Sequence, residues 1–247
     1  MAGREYSSIS RVGTSEPFEL QVSRGQISYH APLFKFGANS AISNTEETVW
    51  DAGGLYSYPT SALAMTVTSA GGATDEDVKV LVSGLDTNYL EVSQEVTLNS
   101  SGVATTTQTF RRVFRAYVSG DQAPTGNITI ANGGTTYAQI NLGENQTLMA
   151  VYTVPAGKTL YVVRGSISSG TENANKYLTG RLLARFFGGV FRTQAKVTIA
   201  DGYIDFDWEL PLQIPEKTDI EARAIASSAS TMAVAATFEG ILIDNAE

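Results

Sequence analysis

Short stretches in which apolar and polar residues alternate recur along most of this chain, bounded by Gly, Asn, Asp or Pro. This pattern is typical of β-strands, because successive side chains of a strand point to opposite faces of a sheet. Within residues 203–210, four apolar side chains share one face: Ile204, Phe206, Trp208 and Leu210. Three acids share the other face: Asp205, Asp207 and Glu209. The pattern predicts an all-β protein.

From about residue 51 the alternating segments fall into two regions. In residues 51–140 we predict strands at Ala62–Thr68, Val78–Ser83, Glu91–Leu98, Phe110–Val118 and Asn127–Ala131. In residues 141–247 we predict strands at Leu148–Val154, Thr159–Ile167, Leu178–Phe187, Val190–Ile199, Tyr203–Leu210, Asp219–Ala226 and Met232–Ile243. Gly-rich and Asn-rich turns separate them. We therefore expect two antiparallel β-sandwich regions, the second jelly-roll-like.

Residues 1–50 show no sustained pattern and are predicted to form an extended N-terminal arm. The arm carries apolar side chains that it cannot bury by itself, among them Phe18, Leu20, Val22, Phe34 and Phe36. Exposed apolar stripes of this kind usually have a partner. We expect residues 1–45 to lie on a neighbouring subunit or on the surface of a larger assembly, with these five side chains as assembly contacts. The alternative is that the arm returns to an edge of its own sandwich.

Composition excludes several classes of site. The chain has 247 residues, no Cys and one His, which rules out disulfides, thiolate metal sites and two-His metal sites within one chain. The formal net charge of −8 argues against nucleic acid as a partner. No apolar run approaches the roughly 18 residues of a membrane helix, and the first 20 residues do not resemble a signal peptide. We expect no membrane partner and synthesis in the cytoplasm.

Three groups of residues could carry chemistry, and each has a simpler structural interpretation. His30 has no evident nucleophile or orienting carboxylate near it in sequence, so we expect a structural or surface role. Asp75-Glu76-Asp77 offers oxygens that suit calcium but lacks the spacing of a calcium loop, which leaves calcium binding open. Asp205 and Glu209 could serve a glycosidase, yet a solvent-facing strand gives the same pattern. We expect no catalytic residues and no cofactor.

One basic cluster is present, formed by Arg111, Arg112 and Arg115. On a strand, Arg111 and Arg115 share a face and Arg112 opposes them. A nucleic-acid surface would need more positive charge and interleaved aromatic residues. We therefore expect either ordinary surface ion pairs or contacts that dock an acidic neighbour in an assembly.

Several segments of the chain resemble virion structural proteins of marine tailed phages, including cyanophages. They are residues 18–27, Asn44-Thr45-Glu46-Glu47, residues 50–59, Val96-Thr97-Leu98-Asn99, residues 105–112, and Tyr152-Thr153-Val154-Pro155-Ala156-Gly157-Lys158-Thr159. The resemblance covers most of residues 18–245 and depends on the order of these segments. It implies a structural protein of the virion. It transfers neither a place in the particle nor functional residues.

These observations together predict a non-enzymatic capsid decoration or cement protein. We expect its partners to be other virion proteins, chiefly the major capsid protein, and we expect a symmetric homo-oligomer, with a trimer favoured. One alternative is a tail or head–tail component. The other is a carbohydrate-binding jelly-roll module, for which Trp50 or Trp208 would have to form an exposed platform.

Overall fold

A computed structural model describes residues 16–170, 176–200, 202–228 and 231–245. Those residues contain one short helix, α1 (Phe18–Ser23), a 3-10 turn at Gly72–Asp75, and strands. The strands are β1 (His30–Ile42), β2 (Glu47–Thr48), β3 (Leu63–Ser69), β4 (Lys79–Leu85), β5 (Glu91–Thr97), β6 (Val103–Phe110), β7 (Arg112–Val118), β8 (Ile128–Asn132), β9 (Thr135–Ile140), β10 (Val151–Thr153), β11 (Lys158–Gly170), β12 (Leu178–Arg185), β13 (Arg192–Ile199), β14 (Gly202–Ile214), β15 (Asp219–Ala226) and β16 (Met232–Asp244).

The strands form four antiparallel sheets. Sheet A has the order β1-β16-β11-β14, and sheet B has the order β10-β15-β12-β13, with β2 also paired to β15. Sheet C has the order β6-β3-β8-β9, and sheet D has the order β5-β4-β7. The predicted all-β fold with antiparallel sandwiches is confirmed. Its jelly-roll character and the domain limits at residues 50 and 140 stay predictions.

Two hydrophobic cores lie between these sheets. The first core draws side chains from sheets A and B, including Tyr152, Leu160 and Phe238. The second core draws them from sheets C and D, including Met65, Phe110 and Ile130. The strands around the second core all lie between β2 and β10 in the chain. The sandwich formed by sheets C and D, here called the inserted sandwich, thus interrupts the sequence of the other.

The prediction that residues 1–45 leave the chain's own sandwich is wrong for residues 30–42. They form β1, which pairs antiparallel with β16, for example Phe34 opposite Glu239. The physical reason is that β1 turns Ala31 and Leu33 toward the first core, while β16 offers an edge to complete. The structure thus takes the alternative of an arm that returns to its own sheet. Residues 1–15 lie outside the described residues.

The chain passes between the two sandwiches through a neck made of residues 48–51 and 147–150. Trp50 and Met149 form an isolated β-bridge, and the amide of Ala150 donates to the carbonyl of Val49 at 3.0 Å. Strand β1 crosses this neck closely. A Cβ added at Gly37 would lie 2.3 Å from both the Ala150 nitrogen and the Val49 oxygen, so only glycine fits there.

Candidate assembly surface

The outer face of sheet A is open to solvent, and strand register fixes which side chains share it. Residues Ala31 and Leu33 of β1 point inward, so the alternate residues of the same strand point outward. Cross-strand partners extend this face over β16, β11 and β14. The resulting surface, here called the open face, includes Pro32, Phe34, Phe36, Ile241, Ile243, Tyr161, Glu239, Arg164, Asp205 and Asp207.

The half of the open face near β1 is apolar. Phe34 is 58% exposed, and its ring lies 5.6 Å from that of the half-buried Phe36. Pro32 is opposite Ile241, which is opposite Tyr161 on the next strand. An antiparallel sheet with one solvated face normally carries polar side chains on it. Exposed apolar patches larger than usual often mark contact surfaces in proteins.

The half near β14 is charged. Arg164 Nε lies 2.6 Å from Asp207 Oδ1, and Arg164 Nη1 lies 3.5 Å from Glu239 Oε1. The hydroxyl of Tyr203 donates to Asp205. Hydrogen bonding and charge from Asp207 raise the pKa of Arg164. These exposed pairs stabilise the fold little, because water screens them. Their consequence is a fixed pattern of charge beside the apolar half.

The structure separates the predicted contacts of the N-terminal segment. Phe34 and Phe36 meet on the open face, whereas Phe18 and Leu20 are exposed on α1. Helix α1 packs beside β1, where the ring of Phe18 meets His30 edge-on at 6.0 Å. Val22 is only 1% exposed. Its side chain is therefore held inside the chain and is not available to a partner.

The predicted arginine cluster is divided as well. Arg115 is exposed, and Arg111 lies over the ring of Tyr89 at 5.2 Å. Arg112 is only 6% exposed. Its guanidinium binds the carboxylate of Asp219, so it is a buried internal partner and does not meet another subunit. The reason is that β7 lies against sheet B, which turns Arg112 inward.

Asp219 is the centre of a buried network that sequence reasoning missed. Its carboxylate accepts hydrogen bonds from Arg112, from Arg185 and from the Thr153 hydroxyl, the last at 2.6 Å. Nearby, buried Glu221 accepts from Thr48 and from Arg223. Burial raises the pKa of Glu221, and the charge of Arg223 opposes that rise. The network joins the inserted sandwich to sheet B.

His30 and Asp75, two of the candidate residues for chemistry, each make hydrogen bonds within the chain. A ring nitrogen of His30 lies 2.8 Å from the carbonyl of Ser28. Asp75 is fully buried, and its two carboxylate oxygens accept hydrogen bonds from Ser69 and Thr125, so both are engaged inside the chain. Within the part of the chain that the structure describes, no group of three or more His, Asp or Glu side chains could hold a metal ion.

The aromatic platform that a sugar-binding module needs is absent at both tryptophans. Trp50 is buried, and its indole N–H donates to the carbonyl of Gly53 at 2.9 Å. Trp208 is half-buried in a cleft beside the first core, where its ring comes close to Gly165. Among residues 16–170, 176–200, 202–228 and 231–245, no helix is long and apolar enough to span a membrane.

Comparisons with known proteins give only distant similarity. No protein-family model and no curated protein matches the chain. The VP2 subviral particle of infectious bursal disease virus is 11% identical, with 88% of this chain and 72% of that chain covered and a TM-score of 0.25. The structure of the Gx strain of that virus is 10% identical, with 87% and 72% covered and a TM-score of 0.25. Such TM-scores do not establish a shared fold.

Proposed function

We propose that this chain is a non-enzymatic structural subunit of a phage virion that attaches to the capsid shell as a decoration or cement protein. The observation that carries the proposal is the apolar half of the open face, where Phe34, Phe36, Ile241 and Tyr161 share one solvent-facing sheet surface. The sequence resemblance to virion proteins of marine tailed phages supports the same role.

The open face has the composition of a contact surface. Aromatic residues and arginine are enriched at the energetic centres of interfaces, and here Phe34 and Arg164 both lie beside Glu239 in strand register. Sheet A also holds this surface rigidly, because β1 is anchored through ten consecutive register pairs from His30 to Asn39. A rigid apolar surface loses little conformational entropy on binding, which favours attachment to a repeating shell.

The partner that fits this role is the major capsid protein, met by a symmetric homo-oligomer with a trimer favoured. A tail or head–tail position is the second assignment within the same class. The two differ in where the subunit lies in the particle. Electron cryomicroscopy of particles containing the chain distinguishes them directly, because shell density and tail density are spatially separate.

The test of the contact surface compares two exposed phenylalanines. Phe34 is 58% exposed on the open face, and Phe187 is 66% exposed on the loop after β12. We expect Phe34→Ser to lower the number of copies per purified particle at least tenfold, and Phe187→Ser to leave that number unchanged. Both variants should unfold at the wild-type temperature. Wild-type occupancy for Phe34→Ser would show that the open face is not the attachment surface.

A further inference from the structure

The two edge strands β13 and β14 carry opposite charge and lie at the same edge of the sandwich. Strand β14 ends sheet A, and β13 ends sheet B. They line opposite sides of one cleft, to which β13 contributes Ala195 and Val197 and β14 contributes Phe206 and Trp208. This surface, the β13–β14 edge, therefore presents two unpaired strand edges with an apolar cleft between them.

The charges are sorted by strand. Strand β13 holds Arg192 and Lys196, both exposed, and no acid. Strand β14 holds the three acids Asp205, Asp207 and Glu209, all exposed, and no base. Charged side chains often protect edge strands from pairing with other chains. That protection does not require positive charges on one strand and negative charges on the other. Because the two signs lie on different strands, the acidic β14 of one copy can face the basic β13 of a second copy.

Side-chain direction places the acids of β14 and Lys196 where a paired strand would meet them. Arg192 lies beyond a β-bulge in β13, with its guanidinium 6.0 Å from the Phe186 ring, and adds positive charge at the start of that strand. Phe206 and Trp208 pack against the first core, so the alternate acids of β14 point to the outer side of sheet A. Val197 packs against the same core, which turns Lys196 to the outer side of sheet B. Side chains on one face of adjoining strands become direct cross-strand neighbours, at about 5 Å between Cβ atoms.

We propose that two copies of this chain associate through the β13–β14 edge, with β14 of each copy lying beside β13 of the other. A twofold axis normal to the sheets would set β14 against β14, acid against acid. A twofold axis that runs along the edge sets the acidic strand against the basic strand twice, and it brings the two apolar clefts together. Charge complementarity selects the second arrangement, a self-complementary contact of the kind that closes a dimer.

The cleft and its surroundings supply the apolar part of this contact. Leu210, at the far end of the acid row on β14, is 85% exposed. Phe206 and Trp208 stack with their ring centroids 6.1 Å apart and are only partly buried within one copy. A second copy would cover these side chains. The contact is separate from the apolar half of the open face and does not depend on the proposed virion role. It makes the self-association of the isolated chain a dimer, in place of the trimer favoured above.

The experiment uses two charge-reversed forms of the full chain. One carries Arg192→Glu and Lys196→Glu, and the other carries Asp205→Lys and Glu209→Lys, which spares the ion pair of Asp207 with Arg164. Sedimentation velocity over a concentration series measures the dimer fraction. We expect the wild-type protein to dimerise, each reversed form to bind itself at least tenfold more weakly, and added salt to weaken the wild-type dimer.

Mixing the two reversed forms is the decisive measurement. In a 1:1 mixture both strand contacts regain opposite charges, so the dimer fraction should return to the wild-type level. The control, Lys79→Glu with Arg115→Glu, makes the same charge change at exposed sites of the inserted sandwich and should dimerise like wild type. A wild-type monomer at all concentrations, a trimer without a dimer, or a mixture that stays monomeric would overturn the proposal. Because isolated protein is measured, failure here leaves the test of Phe34 in particles unaffected.

Discussion

Arg112 and Asp219 form a two-point ion pair between the sandwiches: Nε donates to Oδ1 at 2.7 Å, and Nη2 donates to Oδ2 at 3.1 Å. Both side chains are buried. Arg112 also donates to the carbonyl of Pro59 at 3.0 Å, in the segment that leads into the inserted sandwich. A guanidinium that fills its donors in this way fixes the relative position of the elements around it.

Arg112→Ala should lower the free energy of unfolding by about 3 kcal/mol, because it leaves the carboxylate of Asp219 buried with fewer partners. Arg185 and Thr153 still donate to Asp219, so the loss should lie at the lower end for a broken buried pair. Urea denaturation measures it. Arg115→Ala, an exposed member of the same sequence cluster, is the control and should unfold close to wild type. Equal midpoints for the two variants would contradict the assignment.

The strands of the sheet interiors were predictable because their apolar side chains alternate, and Asp219–Ala226 was predicted with its observed limits. Strand β1 was missed because its inward positions include Lys35 and Gly37, while Phe34 faces water. An ordinary edge strand turns its large apolar side chains inward and its charged ones outward, and this part of β1 does the opposite. The pairing of β1 with β16 is a tertiary fact that local sequence does not encode.

The buried network was hidden for a related reason. Asp219 and Glu221 alternate with Ile220, which is the pattern of a strand with one solvated face. In the structure the inserted sandwich reaches over this part of β15 and supplies Arg112. Only the packing of elements that are distant in sequence shows that these acids are covered. Of the predicted contact residues, Phe34 and Phe36 were brought together on one surface, and the others were dispersed.

Gly37→Ala should destabilise the protein by about 2 kcal/mol, because the new methyl group would overlap the neck. The overlap falls on the amide of Ala150 and the carbonyl of Val49, which are hydrogen-bonded to each other. Thermal denaturation measures the loss. Gly170→Ala is the matched control, since a Cβ at that strand position meets nothing within 4 Å. If Gly37→Ala melted at the same temperature as the control, the backbone of Val49 and Ala150 would be able to move aside for the methyl group, and the prediction would be wrong.

Asp51 should make the folded state less stable as pH rises from about 4 to about 7. Burial raises the pKa of Asp51 to about 7, although the Leu148 amide donates to its carboxylate and favours the charged form. Between these pH values the folded state binds more protons than the unfolded state, so stability falls with rising pH. Urea midpoints of wild type relative to Asp51→Asn should decline across this window. A constant difference from pH 4 to pH 7 would refute the coupling.

Lys35 should make the folded state more stable as pH rises from about 7 to about 10.5, the opposite of the effect of Asp51 at lower pH. Burial, assisted by the charge of Arg115, lowers the pKa of Lys35 to about 7, and its ammonium donates to the carbonyl of Phe114. From pH 7 to about 10.5 the folded state binds fewer protons than the unfolded state, so stability rises with pH. Lys35→Met should therefore gain most over wild type at pH 7 and below. Lys79→Met, at an exposed position, should show no such trend in the same denaturation series.

The pairing of β1 with β16 has a consequence for the order in which the protein can fold during synthesis. Strand β1 emerges from the ribosome before every other described strand, whereas β16 emerges after all of them. The inserted sandwich has all its strands between residues 63 and 140 and can close while the rest is still being made. Until β16 has been synthesised, the backbone of β1 has no strand to pair with, and Phe34 and Phe36 are exposed to water. Nascent chains of this protein therefore expose an unpaired strand with apolar side chains for most of translation. Slow synthesis, or truncation before β16, should favour aggregation over folding.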